Sequence, residues 1–448
     1  MSDTATKTHL VLARKYRPQR FSEVVEQQTA VRALRNAFDS GRLGSGYLFF
    51  GPRGVGKTTI ARLLAKRVNC LNPVDGEPCD VCESCVSILS GNSLDVMEID
   101  AASHRGIQNI RELRENVKFQ PMVSRKKVYI IDEVHMLTTE SFNALLKTLE
   151  EPPSHVLFIL ATTELNKIPE TILSRCQVFN FRKVPLKVLQ AYLRELCDRE
   201  KIEADDEALF WIARRGDGSV RDSLSFMEQA ITYCGGKVET ARVKELIGQV
   251  PVELFLSLSA NLLSGDPDSA QRSNAAGGGG DPNGEHALLA PIHEIFAAGG
   301  DLGRFIWEYL DFLRVAIHIR RGVDDPEFLG IPGPEIHRLQ NALAEFDPVR
   351  LTTIFSGIYE LLSKSFALRL RNSYETRVLV EIELIALKEK LSRPSITGVL
   401  RKINQLSAAM QSGTSYNPEF ELQKQFLGTV VTGGDVPNLD QAGEDPDR

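Results

Sequence analysis

Between residues 47 and 181, short apolar runs alternate with longer segments of helical periodicity. The apolar runs fall at 47–50, 95–100, 128–132, 156–161 and 177–181. Their hydrophobic residues follow one another with few polar interruptions, as in strands covered on both faces, and the strand–helix alternation predicts an α/β fold with a parallel sheet flanked by helices. After Val184-Pro185 the strand signals disappear. Ala208, Leu209, Trp211 and Ile212, then Leu224, Phe226, Met227 and Ile231, recur at helical spacing on either side of the turn Gly216-Asp217-Gly218. This predicts a small helical domain over 187–248, closing a nucleotide-binding region that runs to 184. From 249 to 393 further amphipathic runs, at 305–320, 351–363 and 374–391, predict an all-helical third domain. Inside it, 266–286 carries Gly277 to Gly280 and Asp281-Pro282-Asn283, which cannot hold a helix and predict a flexible insertion. Beyond 394 one more helix is expected at 396–411. The stretch 432–448, with five acids and one base, is expected to be disordered.

Composition changes this picture little. At about 150 residues per domain, 448 residues suit three domains. An apolar share of 42% and a charged share of 25% exclude wholesale disorder, a collagen-like repeat and a membrane bundle. The net charge of −6 means that any nucleic-acid contact must come from a local patch or a larger assembly. The polar N-terminus lacks a secretory pattern, and no apolar run approaches the roughly 18 residues of a membrane-spanning helix, so a cytoplasmic protein with no membrane partner is expected.

Chemistry concentrates in three places. The stretch 51–58, GPRGVGKT, fits G-x-x-x-x-G-K-[ST] and lies between an expected strand and an expected helix starting at Thr59. In such a loop Gly51, Pro52, Arg53, Gly54, Val55 and Gly56 form a curl whose backbone N–H groups, which Pro52 lacks, face the phosphates, Lys57 reaches the outer phosphates, Thr58 ligates Mg²⁺, and Thr59 opens the helix. The run 128–132 ends in Asp132 and Glu133, placed for Mg²⁺ and for orienting and deprotonating an attacking water. His135 beside them reads as a packing or hydrogen-bonding residue more than a catalyst. Cys70, Cys79, Cys82 and Cys85, within 70–85, supply four thiolates for a closed structural Zn²⁺ site, with an iron–sulfur cluster or free thiols as alternatives. Cys176, Cys197 and Cys234 sit in apolar or helical contexts and read as small core residues.

Together LARKYRPQRF (12–21), the P-loop, the cysteine module, EIDAASHRGI (98–107), YIIDEVHMLTTESFNALLKTLEEPP (129–153), ATTE (161–164), ILSRC (172–176) and GSVRDSLS (218–225) resemble the AAA+ clamp-loader ATPases of the bacterial DNA polymerase III gamma/tau family. The resemblance implies an AAA+ sheet domain with an inserted zinc module, then a helical lid and an all-α collar. It implies ATP, Mg²⁺ and structural Zn²⁺ as cofactors. It also implies other loader subunits, a sliding clamp and primer-template DNA as partners, with the polymerase core as a further candidate. Thr163 would sense the γ-phosphate, Arg175 would reach in trans to a neighbouring subunit's ATP, and Arg221 would be the lid sensor on a helix that Ser219 can cap. Tyr16, Arg17 and Pro18 would wrap the adenine. Glu26-Gln27 stands where this family carries Gly-Gln. His104 and Arg105, before a helix bearing Arg111, Arg114 and Lys118, are the candidate DNA contacts, against a solvated amphipathic helix as the alternative. The implied function is clamp loading driven by ATP hydrolysis. The alternatives are a non-hydrolysing scaffold arm or another AAA+ machine such as a helicase loader.

Overall fold

The computed structural model describes residues 11–103, 106–264, 285–368 and 372–392. The described residues up to Val250, together with Gly322–Asn341, form one compact unit; those of Pro251–Arg321 and from Ala342 onward form a second.

In the first unit five strands, β1 (Gly46–Phe50), β2 (Val96–Asp100), β3 (Lys127–Asp132), β4 (Val156–Thr162) and β5 (Gln177–Asn180), make one sheet in the order β2-β3-β4-β1-β5. Every pairing is parallel. The five expected strands are all present, and their near-continuous apolar character has the expected cause. Tyr47, Phe49, Val128, Ile130, Leu157 and Ile159 bury one face against helices Gln28–Asp39 and Lys57–Asn69. Leu48, Tyr129, Ile131, Phe158 and Leu160 bury the other against Ile107–Val117 and Thr139–Glu150. Alternate side chains thus enter different cores, and neither face tolerates polar residues. In-register pairing brings Phe50, Asp132 and Thr162 to the same carboxyl edge, the edge on which ligands bind in open α/β sheets.

The region after Pro185 holds helices Leu186–Glu200, Asp206–Arg215, Val220–Cys234 and Thr240–Ile247. It also holds a strand pair absent from the sequence expectation, Glu203–Ala204 beside Lys237–Val238. Two-residue strands are too short to leave a periodic signal. Residues 322–341, read from sequence as part of the third domain, cluster with the first unit. Lys187 pairs with Glu327 at 3.4 Å and Lys244 with Glu335 at 3.1 Å, tying them to the helical region before them.

In the second unit, helices Val252–Leu263, Glu285–Ala297, Leu302–Arg320, Pro348–Leu368 and Ser373–Ser392 contain the three amphipathic runs read from sequence. Phe255, Phe305, Tyr309 and Phe312 form an aromatic cluster, and the buried Tyr309 hydroxyl lies 2.9 Å from Ser259 Oγ. Helix Glu285–Ala297 starts inside the expected insertion, because Glu285 and His286 follow its last Pro and Gly and are free to be helical. The rest of 266–286, and the expectations for 394–448, lie outside the described residues.

Glu26 and Gln27 both adopt left-handed backbone, with φ of 60° and 61°. Gln27 has compensation: its buried amide donates to Arg182 O at 2.7 Å and accepts from Arg182 N at 3.1 Å. Glu26 has a conformation that glycine adopts without steric cost, as a left-handed backbone penalises a Cβ by roughly 1–2 kcal/mol. Glu26→Gly is therefore expected to stabilise the chain by about 1 kcal/mol, raising its thermal midpoint by about 2 °C in calorimetry, while Glu26→Ala does not.

Candidate functional site

The loop after β1 curls through three left-handed or glycine-favoured positions, Gly51 (φ 154°), Gly54 (φ 73°) and Gly56 (φ 105°), and delivers Lys57 as the first residue of helix Lys57–Asn69. A Cβ on Gly51 would lie 2.4 Å from Phe181 O, so this glycine is required by close approach as well as by φ. Lys57 Nζ donates to Gly51 O and Pro52 O, both at 2.8 Å. Burial lowers the Lys57 ammonium below its ordinary pKa, opposed by Glu133 and Asp132.

β3 brings the acids to the same place. Thr58 Oγ1 donates to Asp132 Oδ2 at 2.6 Å, and Asp132 Oδ1 accepts from Glu133 N at 2.9 Å. Glu133 is left-handed, φ 48°, a strained backbone of the kind that collects at functional sites. Thr163 Oγ1, just past β4, donates to Glu133 Oε2 at 3.3 Å. The proposed sensor and the proposed base are thus in direct contact. The largely covered His135 side chain lies beside them, its Nδ1 3.1 Å from Thr162 Oγ1 and 3.5 Å from Glu133 Oε2, its Nε2 3.3 Å from Glu164 Oε1. It holds the neighbouring carboxylates, a role consistent with hydrogen bonding. Glu164 was not singled out in the sequence; its signal was only its place in ATTE.

One cavity joins the P-loop and the strand-end acids to the lid and to the N-terminal segment 12–18, the strap. Tyr16, Arg17 and Pro18 line it with Arg53 to Thr59, Asp132, Glu133 and Arg221. Ala13, Val24, Val25, Tyr192, Val220 and Leu224 also line it, and of these Val24, Val25 and Tyr192 lie outside every motif of the sequence. Burial, then the neighbouring Arg62, lowers the Arg17 pKa. The strap is fastened to the lid: Tyr16 donates its hydroxyl to Glu200, and Leu12 N donates to Glu228 Oε2 at 2.6 Å. Burial, then Glu200, pushes the Tyr16 hydroxyl up to about 12.

The lid touches the P-loop directly. Ser219 caps helix Val220–Cys234, accepting from Asp222 N at 3.1 Å, and Arg221 N donates to Gly54 O at 3.3 Å. A Cβ on Gly54 would fall 1.9 Å from Ser219 Oγ and 3.3 Å from Arg221 Cβ. Gly54→Ala is therefore expected to cost about 2–4 kcal/mol through backbone strain and overlap. It should weaken binding of a fluorescent ATP analogue at least tenfold. Unchanged affinity in that titration would show that this contact does not shape the site.

Arg175 is elsewhere. Its carbonyl lies 3.2 Å from the Cβ position of Gly46, at the start of β1, whereas the P-loop leaves the opposite end. The guanidinium donates to Glu150 Oε1 and Thr171 O, each at 2.6 Å, and to Ser174 Oγ at 3.0 Å. His104 and Arg105 lie outside the described residues. In and just after the helix that follows, the single carboxylate of Glu115 is shared between Arg114 (3.6 Å) and Lys118 (2.6 Å), two of the three cations read from sequence.

The four cysteines converge although Cys70 ends one helix and Cys85 lies in another, Glu83–Ser90. Their sulfurs all lie within 4.8 Å of one another, and Cys79 Sγ is 4.0 Å from Cys85 Sγ. A tetrahedron of Zn–S bonds of about 2.3 Å puts sulfurs about 3.8 Å apart, so the set fits such an ion. Cys79 N donates to Cys70 Sγ at 3.2 Å and Cys82 N to Cys79 Sγ at 3.4 Å, contacts that support thiolate. The N–H groups of Val81 and Cys82 pull the Cys79 thiol down to about 6. Burial raises Cys70 and Cys85 in the same cluster, and it raises the isolated Cys176 and Cys197 to about 11, which leaves those two unreactive.

A parallel sheet with a glycine loop, strand-end acids and a helical lid resting on that loop defines a P-loop nucleotide-binding protein with a four-cysteine insertion. Family models agree in detail: one described as "DNA polymerase III, delta subunit" matches 26–185, and one described as "DNA polymerase III clamp loader subunit, ATPase lid domain" matches 188–236. The gamma subunit of Buchnera aphidicola subsp. Acyrthosiphon pisum is 44% identical over 57% of this chain and 71% of its own length. The tau subunit of Escherichia coli K12 is 47% identical over 56% of this chain and 39% of its own. The gamma/tau subunit of Mycobacterium bovis is 34% identical over 90% and 66%. The chain belongs to the DNA polymerase III gamma/tau subunit family. It spans less than half the length of the tau relatives it matches. Among solved structures, Thermotoga maritima RuvB aligns over 62% of this chain and 85% of its own at 17% identity, with a TM-score of 0.39, too slight a likeness to argue from.

Proposed function

We propose that this chain is the ATP-hydrolysing subunit of a DNA polymerase III clamp loader, using ATP binding and hydrolysis to place a sliding clamp on primed DNA. The observation that carries the reading is the convergence of Lys57, Thr58, Asp132 and Glu133 on one sheet edge, where they line a cavity with Arg17, Arg53 and Arg221, with Thr163 bonded to Glu133 beside it. Cations around backbone N–H groups suit a polyphosphate, and an acid pair beside them suits its hydrolysis. Thr58 and Asp132 would hold Mg²⁺, which supplies charge neutralisation on the phosphates when bound. Glu133, oriented by Thr163 and His135, accepts the proton of the attacking water. Arg221 brings the lid to the site, and Tyr16 to Pro18 cover the base. Cys70, Cys79, Cys82 and Cys85 would hold structural Zn²⁺.

Arg175, on the far end of β1, serves a neighbouring subunit's site, so turnover depends on assembly with other loader subunits. The clamp and primer-template DNA are the remaining partners, the latter approached through His104 and Arg105, and the polymerase core is a further one. We place this work in the cytoplasm. Among the described residues no single helix is long and apolar enough to cross a membrane. The test is ATP turnover and clamp loading by an assembly of this chain, its partner subunits, clamp and primed DNA. DNA-stimulated turnover is expected; turnover no greater than in an assembly lacking this chain overturns the reading, and ATP binding without turnover would leave a scaffold arm.

A further inference from the structure

The four-cysteine module is fastened to the segment that continues the nucleotide-binding strap, one residue at a time. Lys66, on the P-loop helix, is nearly fully buried, and its Nζ donates to Gln19 O at 3.1 Å while pairing with Asp80 at 2.5 Å. Asp80 also accepts from Arg20 Nε at 2.8 Å. Glu77 accepts from Phe21 N at 2.7 Å and Ser22 N at 2.9 Å, and pairs with Arg35. Residues 19 to 22 are thus each held, directly or through Lys66, by two carboxylates that flank Cys79 in sequence. Immediately before them, Tyr16, Arg17 and Pro18 line the nucleotide cavity.

Apart from Arg67 Nε, which donates to Gly76 O at 3.1 Å, and the Arg35–Glu77 pair, the loop carrying these carboxylates has little to hold its shape. Val74 and Val81 are 62% and 82% exposed, so apolar burial contributes almost nothing there. Val74 and Glu77 form an antiparallel bridge around Asp75-Gly76, both left-handed (φ 50° and 79°), a tight turn that aims Glu77 at the strap. Asp80 is also left-handed, φ 64°, between two of the cysteines. The convergence of the four sulfurs is what fixes this loop at its ends.

We propose that the metal-bound four-cysteine module is a positioning device for nucleotide binding, in which Glu77 and Asp80 transmit the loop's fixed geometry to the strap through 19–22. The carboxylates touch no part of the nucleotide cavity themselves; they act by holding the backbone that follows Tyr16 to Pro18. Bonds from backbone N–H and cationic side chains to ionised carboxylates are among the stronger ones in proteins, and loosening them frees the strap. The proposal rests on the nucleotide reading of the cavity given above and on metal occupancy of the cysteines.

The test compares the full wild-type chain with Glu77→Ala, Glu77→Gln and the double variant Glu77→Ala/Asp80→Asn. Metal content is measured by elemental analysis, hydrogen exchange is followed across 16–23, and affinity is read by titration with a fluorescent ATP analogue. Glu77→Ala is expected to keep its metal, to speed exchange at Phe21 and Ser22 about tenfold, and to weaken the analogue about tenfold, with Glu77→Gln between it and wild type. Removing the metal with a chelator should produce both changes in wild type and little further change in the double variant. Native affinity in Glu77→Ala despite faster exchange, or wild-type exchange unchanged by chelation, overturns the proposal. Failure of the underlying nucleotide reading looks different: wild type binds no analogue, while Glu77→Ala still speeds exchange.

Discussion

Glu133→Gln is expected to lower ATP turnover by about 10²–10⁴-fold while leaving ATP affinity within about twofold of wild type. The two halves of this expectation have separate causes. Affinity is expected to come from the P-loop backbone, Lys57, Arg17 and Arg221, none of which the substitution replaces. Turnover needs a group that can take a proton, and an amide of the same shape cannot. The surroundings make the substitution clean. Glu133 is held by backbone geometry, with N bonded to Asp132 Oδ1 at 2.9 Å, and a glutamine can still offer an oxygen to Thr163 Oγ1, now 3.3 Å away. Steady-state turnover and a binding titration on the same preparation check it. Turnover within a few-fold of wild type would remove Glu133 from the role of base.

Arg175→Ala is expected to lower turnover of the assembled complex by about 10³-fold, with nucleotide binding by the isolated chain unaltered. The warrant is positional. β1 is five residues long, so its ends are about 13 Å apart at about 3.3 Å per residue, with Arg175 beside Gly46 and the P-loop beyond Phe50. The side chain therefore cannot reach its own P-loop. Its guanidinium is pre-oriented by Glu150, Thr171 O and Ser174 at a half-exposed edge. Arg175→Lys should recover only part of the loss, since an ammonium keeps the charge but not the planar fork. The check is DNA-stimulated ATP turnover in assemblies carrying each variant, beside analogue binding by the free chain. A loss of binding in the isolated chain equal to the loss of turnover would place Arg175 in cis and refute the trans arrangement.

Much of the nucleotide site is visible in the chain itself because it is built from local patterns. A glycine loop must follow one buried strand and open one helix, so residues 51–58 carry their own geometry. Asp132 and Glu133 must end another buried strand, and parallel register then carries both to the same edge. The cysteine spacing likewise restricts four sulfurs to one short segment. These features depend on neighbours within a few residues, where steric and hydrogen-bonding rules act without knowledge of the rest of the fold.

What the sequence left open depends on contacts between distant segments. Nothing local shows that Gly54 carries no side chain because Ser219 lies against it, or that Tyr192 and Leu224 wall the cavity. The left-handed Glu26 is an exception to the usual glycine, and only the bond between Gln27 and Arg182 shows what holds that turn. Glu77 and Asp80 look in the sequence like ordinary loop acids; packing makes them the partners of residues some sixty positions earlier. The sheet, the phosphate loop, the acid pair and the cysteine cluster are legible along the chain, since each follows from short-range stereochemistry. Tertiary structure alone decided how strap, lid and cysteine module meet around that loop, because contacts between remote residues are set by packing and leave no periodic trace in the chain.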